Sequence, residues 1–350
     1  MKKSTFLLPF LAILLACETD FDVNAPWKET AVVYGLLDQT LDTQRVVVYK
    51  AFLGQESAYT MSQNIDSIYY DENEIEVKLY GIDKDDDTIQ SIPLQYHITN
   101  NRFHSGFDTI FAIDYSVEYI TTQELDQALT YHLHVHNIQS GYEAKSSTTL
   151  IEPLEINQGF TDELTFFKNN EYRRHRLMWS SSRNGKIYKP YLRFYFHEKN
   201  IKTGEVNRKY IDKAYPQMYA PNASGGTDME IYITGESFYY FVNNSIQEDP
   251  LVQRINAKEL QDGFPEYDYW IGGVDFLFVV GGEDISQFIE VNNLPSALFQ
   301  DPPSFTNIEN GRGVFSSRLH SIQTGKYLGI SSLTELSNGD LTNQLNFIEP

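Results

Sequence analysis

His132, His134 and His136 alternate along the run Tyr131 to Asn137, YHLHVHN. In an extended strand every second side chain leaves the same face, and imidazoles so spaced can share a zinc or copper ion. The plainer reading of the same pattern puts Leu133 and Val135 in a core and the histidines on the wet face, and no carboxylate nearby in the sequence completes an obvious ligand set. Asp83, Asp85, Asp86 and Asp87, with Asp71, Glu72 and Glu74, are the other candidate cation ligands. Neither segment has the spaced D-x-D-x-D-G order of a calcium loop, so a solvated acidic turn is expected.

Aromatic residues form the next candidate set. Tyr188, Tyr191, Tyr195, Tyr239, Tyr240, Tyr267, Tyr269 and Trp270 can line a face that stacks sugar rings or packs a partner, because each ring pairs a flat apolar body with a polar tip. Strand alternation makes about half of them core. The chain has no Gly-x-Ser-x-Gly elbow, no phosphate-binding Gly-rich loop and no His-Glu-x-x-His, which argues against an enzyme. A carboxylate pair for glycoside cleavage has no spacing signature and stays open.

The elements that must position these residues read as β-strands, in keeping with 24 Tyr and 22 Phe beside frequent Val, Ile and Thr. Ala31 to Leu37 and Arg45 to Phe52 form a hairpin, Glu74 to Tyr80 alternates, and strands follow near Ile92 to Ile98, Phe107 to Ile113 and Val117 to Ile120. Tyr131 to Asn137 and Tyr142 to Leu150 pair across Gln139-Ser140-Gly141. About seven short strands separated by turn signals predict a β-sandwich of immunoglobulin or fibronectin type over 30–153, ending near Glu152-Pro153. A larger β-rich domain over 154–350 carries longer strands, including Tyr188 to Glu198. It has one or two short helices, Glu236 to Gln247 and Asp284 to Asn292, the latter capped by Asp284 or Ser286.

The N-terminus is an address. Lys2 and Lys3 precede the apolar run Phe6 to Leu15, and Leu14-Leu15-Ala16-Cys17 matches a bacterial lipobox. Residues 1–16 are expected as a lipoprotein signal peptide and 17–29 as a tether, with Cys17 carrying diacylglycerol and a further acyl chain such as palmitate. Several acyl chains give a stable anchor where one is marginal. Cys17 is the only cysteine, so no thiol remains for a disulfide or a thiolate site. No cofactor other than this covalent lipid is expected. The formal net charge of −21 disfavours nucleic acid and anionic lipid as partners, since neutralising phosphates takes clustered Lys and Arg.

Three places together carry a family resemblance: AVVYGLL then RVVVYKAF after the tether; Tyr131-x-Leu133-x-Val135 followed by Gly141-Tyr142-x-Ala144 and Pro153; and Asn307-Ile308-Glu309-Asn310-Gly311-Arg312-Gly313-Val314-Phe315. The chain resembles a group of Bacteroidota lipoproteins known only as a domain of unknown function and often encoded beside TonB-dependent outer-membrane transporters. The resemblance spans nearly the whole chain after the signal. It implies an immunoglobulin-like first domain, a β-rich second domain and a lipid-anchored place on the outer membrane, surface-exposed or periplasm-facing. It also implies an accessory role with a transporter, and it carries no catalytic residue across. The expected function is a non-enzymatic binding component; the alternative is a glycan-binding or glycan-processing protein using the second-domain aromatics.

Overall fold

The structure, a computed structural model, describes residues 28–51, 65–100, 115–156, 162–260, 272–293 and 304–349. Cys17, the tether before residue 28, the strand expected at Phe107 to Ile113, and Tyr267, Tyr269 and Trp270 lie outside them. In the first half the strands are β1 (Ala31–Leu37), β2 (Gln44–Lys50), β3 (Ile75–Ile82), β4 (Thr88–Thr99), β5 (Ser116–Thr121), β6 (Thr130–Asn137) and β7 (Glu143–Thr149), with one helical turn, α1 (Ile65–Ile68). Three two-residue strands follow, β8 (Glu163–Leu164), β9 (Phe167–Lys168) and β10 (Glu171–Tyr172), then β11 (Arg174–Ser180), β12 (Ile187–Asn200), β13 (Val206–Ala214), β14 (Met218–Tyr219) and β15 (Asp228–Thr234). The chain continues with α2 (Gly235–Ser245), β16 (Val252–Ile255), β17 (Val274–Gly281), α3 (Glu283–Asn292), β18 (Arg312–Leu328) and α4 (Ile330–Asn338). The molecule is mainly β, as its composition predicts.

The first half is a sandwich. Alternation turns Ala31, Val33 and Leu37 of β1, Val46 and Val48 of β2, Ile75, Val77 and Leu79 of β3, and Leu133 and Val135 of β6 into one core. One sheet holds β1, β2, β5 and the second half of β4; the other holds β7, β6, β3 and the first half of β4, which crosses between sheets near Leu94 and Gln95. That strand order is the immunoglobulin-like one. Tyr131, at the start of β6 and fully buried, adds the matching corner: its hydroxyl accepts the Asp126 N–H at 2.6 Å and donates to Gln90 Oε1 at 2.6 Å.

The second half packs a different core. Tyr188, Leu192, Phe194 and Phe196 of β12 and Phe276, Phe278 and Val280 of β17 face Leu177 and Trp179 of β11, Ile233 of β15, Phe238 and Val242 of α2, and Leu333 and Leu336 of α4. The sheet β13–β12–β17–β18 thus has its inner face covered by the β11–β15 ribbon and two helices.

Strand β18 joins the two cores. Its first part, Arg312 to Ser317, pairs parallel with β1, while Arg318 to Lys326 pairs antiparallel with β17. Ile308 and Phe315 are buried in the first core, so the Asn307 to Phe315 motif, far along the chain, completes the sandwich that begins at β1. Gly313 is required at this junction: its φ is +104°, and a Cβ there would meet Val33 O at 2.0 Å. Asp38, fully buried at the end of β1, accepts from Arg318 Nε at 3.2 Å and contacts His320 Nδ1 at 2.5 Å.

Helix α2 matches the sequence reading and is capped by Thr234 Oγ1, which accepts the Ser237 N–H. The cap expected for the next helix at Asp284 or Ser286 is corrected. Helix α3 begins at Glu283 after Gly282, Ser286 is buried inside it, and Ser316 Oγ of β18 accepts the Ile285 N–H at 3.3 Å. A neighbouring strand does the work of the local side chain. Helix α4, in the tail past the last motif, is absent from the periodicity reading. No helix among the described residues is long and apolar enough to cross a membrane.

Candidate functional site

The histidine row emerges on the outer face of β6, opposite the buried Leu133 and Val135. The rings of His134 and His136 lie parallel, 6.0 Å apart. β3 sets Glu76 beside His136 and Lys78 beside His134; β7 sets Glu143 and Lys145 in the same two rows. His134 Nε2 stands 3.2 Å from Glu143 Oε1. Both carboxylates are shared with lysines, Lys78 at 2.6 Å from Glu76 and Lys145 at 2.6 Å from Glu143, whose hydrogen bonds hold them below the usual carboxylate range. Among the described residues no group of three or more His, Cys, Asp or Glu gathers closely enough to hold a metal ion. The acidic stretch is a turn: Asp83 Oδ1 accepts the N–H groups of Asp85 and Asp87, both at 2.9 Å.

The described aromatics of the second half do not converge on one point. Tyr188 and Tyr239 are buried in the core, where desolvation pushes the Tyr188 hydroxyl up to about 12 and the Tyr239 hydroxyl higher still. Tyr191 and Tyr195 leave β12 on the opposite, outer face, and Tyr240 is exposed on α2. On that outer face Arg193 makes two 2.7 Å hydrogen bonds to Asp212 and lies 4.0 Å over the Tyr210 ring, and Tyr195 and Tyr210 are 6.0 Å apart. Cation and ring support each other there.

A cleft of about 600 Å³ opens beside this sheet. Its floor is Phe196 and Glu198 of β12 with Arg254 of β16. One wall is Arg208 to Ile211 of β13, and the other is Ser245 to Pro250, where the chain leaves α2. Arg254 is 2% exposed. Its guanidinium spends its donors on Glu198 Oε1 at 2.8 Å, Leu345 O at 2.5 Å and Gln247 O at 3.0 Å, pinning the wall loop and the C-terminal turn to β12. Glu198 also pairs with Lys209. Burial pushes the Glu198 carboxyl up, but the hydrogen bonds from Lys209 and Arg254 outweigh it and hold the group below its ordinary value. An ion-paired anion of this kind is a poor proton donor. The walls present Arg208, Lys209, Gln247, Glu248 and Asp249, a set suited to hydrogen-bonded binding of a polar ligand.

Sequence reasoning did not identify this cleft, because its residues come from four separated segments. One signal was present: Arg254 stands between Gln253 and Ile255 in the strand VQRI, where alternation with exposed Gln253 turns it inward, and a charge on the inward side of a strand implies dedicated partners. A scan against protein-family models found no matching family, and a search of the curated proteins found no match.

Proposed function

We propose that the protein is a lipoprotein of the cell envelope, tethered to the outer membrane through Cys17, and that it acts as a non-enzymatic binding component with a TonB-dependent transporter as partner. The observation that carries this reading is the single cysteine placed at Leu14-Leu15-Ala16-Cys17 behind a basic and then apolar leader. Two features support a binding role. The outer face around Tyr191 and Tyr210 carries Tyr and Arg, residue types that dominate interface energetics. The carboxylate at the cleft floor is committed to structural ion pairs.

The test is a mild-detergent pull-down of the tagged chain from its native membrane, with Cys17→Ser as control. A large β-barrel recovered in near-equal amount with the wild type, and lost with the control, is the expected result; recovery of the lipidated chain alone overturns it. Glycan binding is the second reading, favoured by the polar cleft. A glycan array probed with the wild type and with Asp249→Ala separates the two, since cleft binding weakens in the variant.

A further inference from the structure

Strand β13 is the last strand of its sheet and pairs with β12 alone among the described residues. Seven of its nine residues are exposed, including Tyr210 at 55%. The hydrogen-bond phase of this edge follows from two flanking bonds, Tyr215 N to Pro190 O and Asn200 N to Glu205 O, both 2.9 Å. With the register Tyr195 opposite Tyr210, odd-numbered residues of β13 address β12. The N–H and C=O groups of Arg208, Tyr210 and Asp212 therefore point to the free edge. Natural sheets blunt such an edge or fill it.

The side chains on the outer face of that edge read Arg208, Tyr210, Asp212, a row that is complementary in charge to its own reverse about Tyr210. A two-fold axis through Tyr210 sets Tyr210 against its own copy and Arg208 against Asp212 of the second copy, twice. It does so with the residues whose backbone groups are free, as a hydrogen-bonded antiparallel ladder requires. The arrangement extends what the fold already contains. The Tyr195–Tyr210 pair becomes a row of four rings, and each Arg193–Asp212 pair gains a cation on its far side. On the inner face Lys209 falls opposite Ile211, so no lysine meets its own copy. Arg208 is already paired with Glu259 and becomes shared between that carboxylate and Asp212 of the second copy.

We infer that β13 is a homodimerisation edge, joining two copies of this chain antiparallel about Tyr210 into one continuous sheet. The test uses the full chain in density-matched detergent, followed by sedimentation equilibrium. A wild-type dimer is expected. Tyr210→Pro removes an N–H that β12 does not use, so it leaves the fold intact and yields monomer. Arg208→Glu raises the dissociation constant about tenfold or more by setting two carboxylates together. In a Cys17→Ser background, Tyr210→Cys supplies the sole thiol. The Cα separation of about 5.5 Å across a hydrogen-bonded pair lies within disulfide reach, so it oxidises to a covalent dimer, whereas Tyr232→Cys, on the β11–β15 ribbon, does not. A monomeric wild type, a dimer indifferent to these changes, or a strand from another protein captured on β13 overturns the inference.

Discussion

Arg254→Met tests whether the cleft floor is held together as the geometry implies. Methionine keeps much of the aliphatic stem and removes the guanidinium. Glu198 then keeps only Lys209, and the carbonyls of Gln247 and Leu345 lose a donor. Breaking one side of a buried ion pair costs about 3–5 kcal/mol, and the orphaned carbonyl of buried Leu345 costs about 1–3 kcal/mol, whereas that of exposed Gln247 can turn to water. These losses overlap, because the wall loop relaxes toward water, so the expected destabilisation is about 3–5 kcal/mol. Urea unfolding followed by tryptophan fluorescence, to which Trp179, fully buried in the same core, contributes with the chain's two other tryptophans, reads it. The pH dependence supplies a second check. Glu198 in the folded wild type sits below its ordinary value of 4.5, so its contribution is present above that pH and is lost as the pH falls through the lower folded value. In the variant, burial is opposed by Lys209 alone and the carboxyl rises, so the gap between variant and wild type narrows on acidification from neutral pH toward 4. A loss below about 1 kcal/mol, or a gap that widens in acid, refutes the account.

Gly313→Ala forces a side chain into left-handed backbone with Val33 O only 2.0 Å from the new Cβ. The backbone term alone costs about 1–2 kcal/mol, and the parallel β1–β18 pairing must open further, so hydrogen exchange at Val33 and Gly35, whose backbone groups face β18, accelerates; unchanged protection there counts against this role. Tyr131→Phe removes the hydroxyl that caps Asp126 N and reaches Gln90, an expected loss of about 1–3 kcal/mol in urea unfolding, and a neutral result removes the corner from the account. For the histidine row, with Glu143 shared by Lys145, zinc added at neutral pH is expected to bind weakly, and calorimetry showing one tight equivalent, abolished by His134→Ala, overturns that expectation.

Much of the first half is legible residue by residue. The hairpins β1–β2 and β6–β7 pair close in sequence; β1 and β2 are announced as β-branched and aromatic runs about the polar Asp38 to Gln44, whereas in β6 the alternation of Leu133 and Val135 with histidines announces the faces as well. The same rule assigned Leu133 and Val135 to the core and the three histidines to the surface. It failed where a residue's environment comes from elsewhere in the chain. Helix α3 takes its capping acceptor from Ser316, and Arg254 finds partners at Glu198, Gln247 and Leu345.

The sequence alone determined the strand-rich class, the position of most strands and of helix α2, the turn at Asp83 to Asp87, and the lipobox expectation at Cys17. Each rests on local periodicity, turn chemistry or a contiguous motif. Tertiary structure alone decided that residues 308–317 return to complete the first sandwich, that Asp38 is buried against Arg318 and His320, that a cleft lies between β13 and the loop after α2, and that β13 ends its sheet. These features depend on pairings between residues tens to hundreds of positions apart. A parallel pairing such as β1 with β18 requires a crossover connection, and side-chain alternation, which records only which face a residue occupies, carries no information about which strand lies alongside.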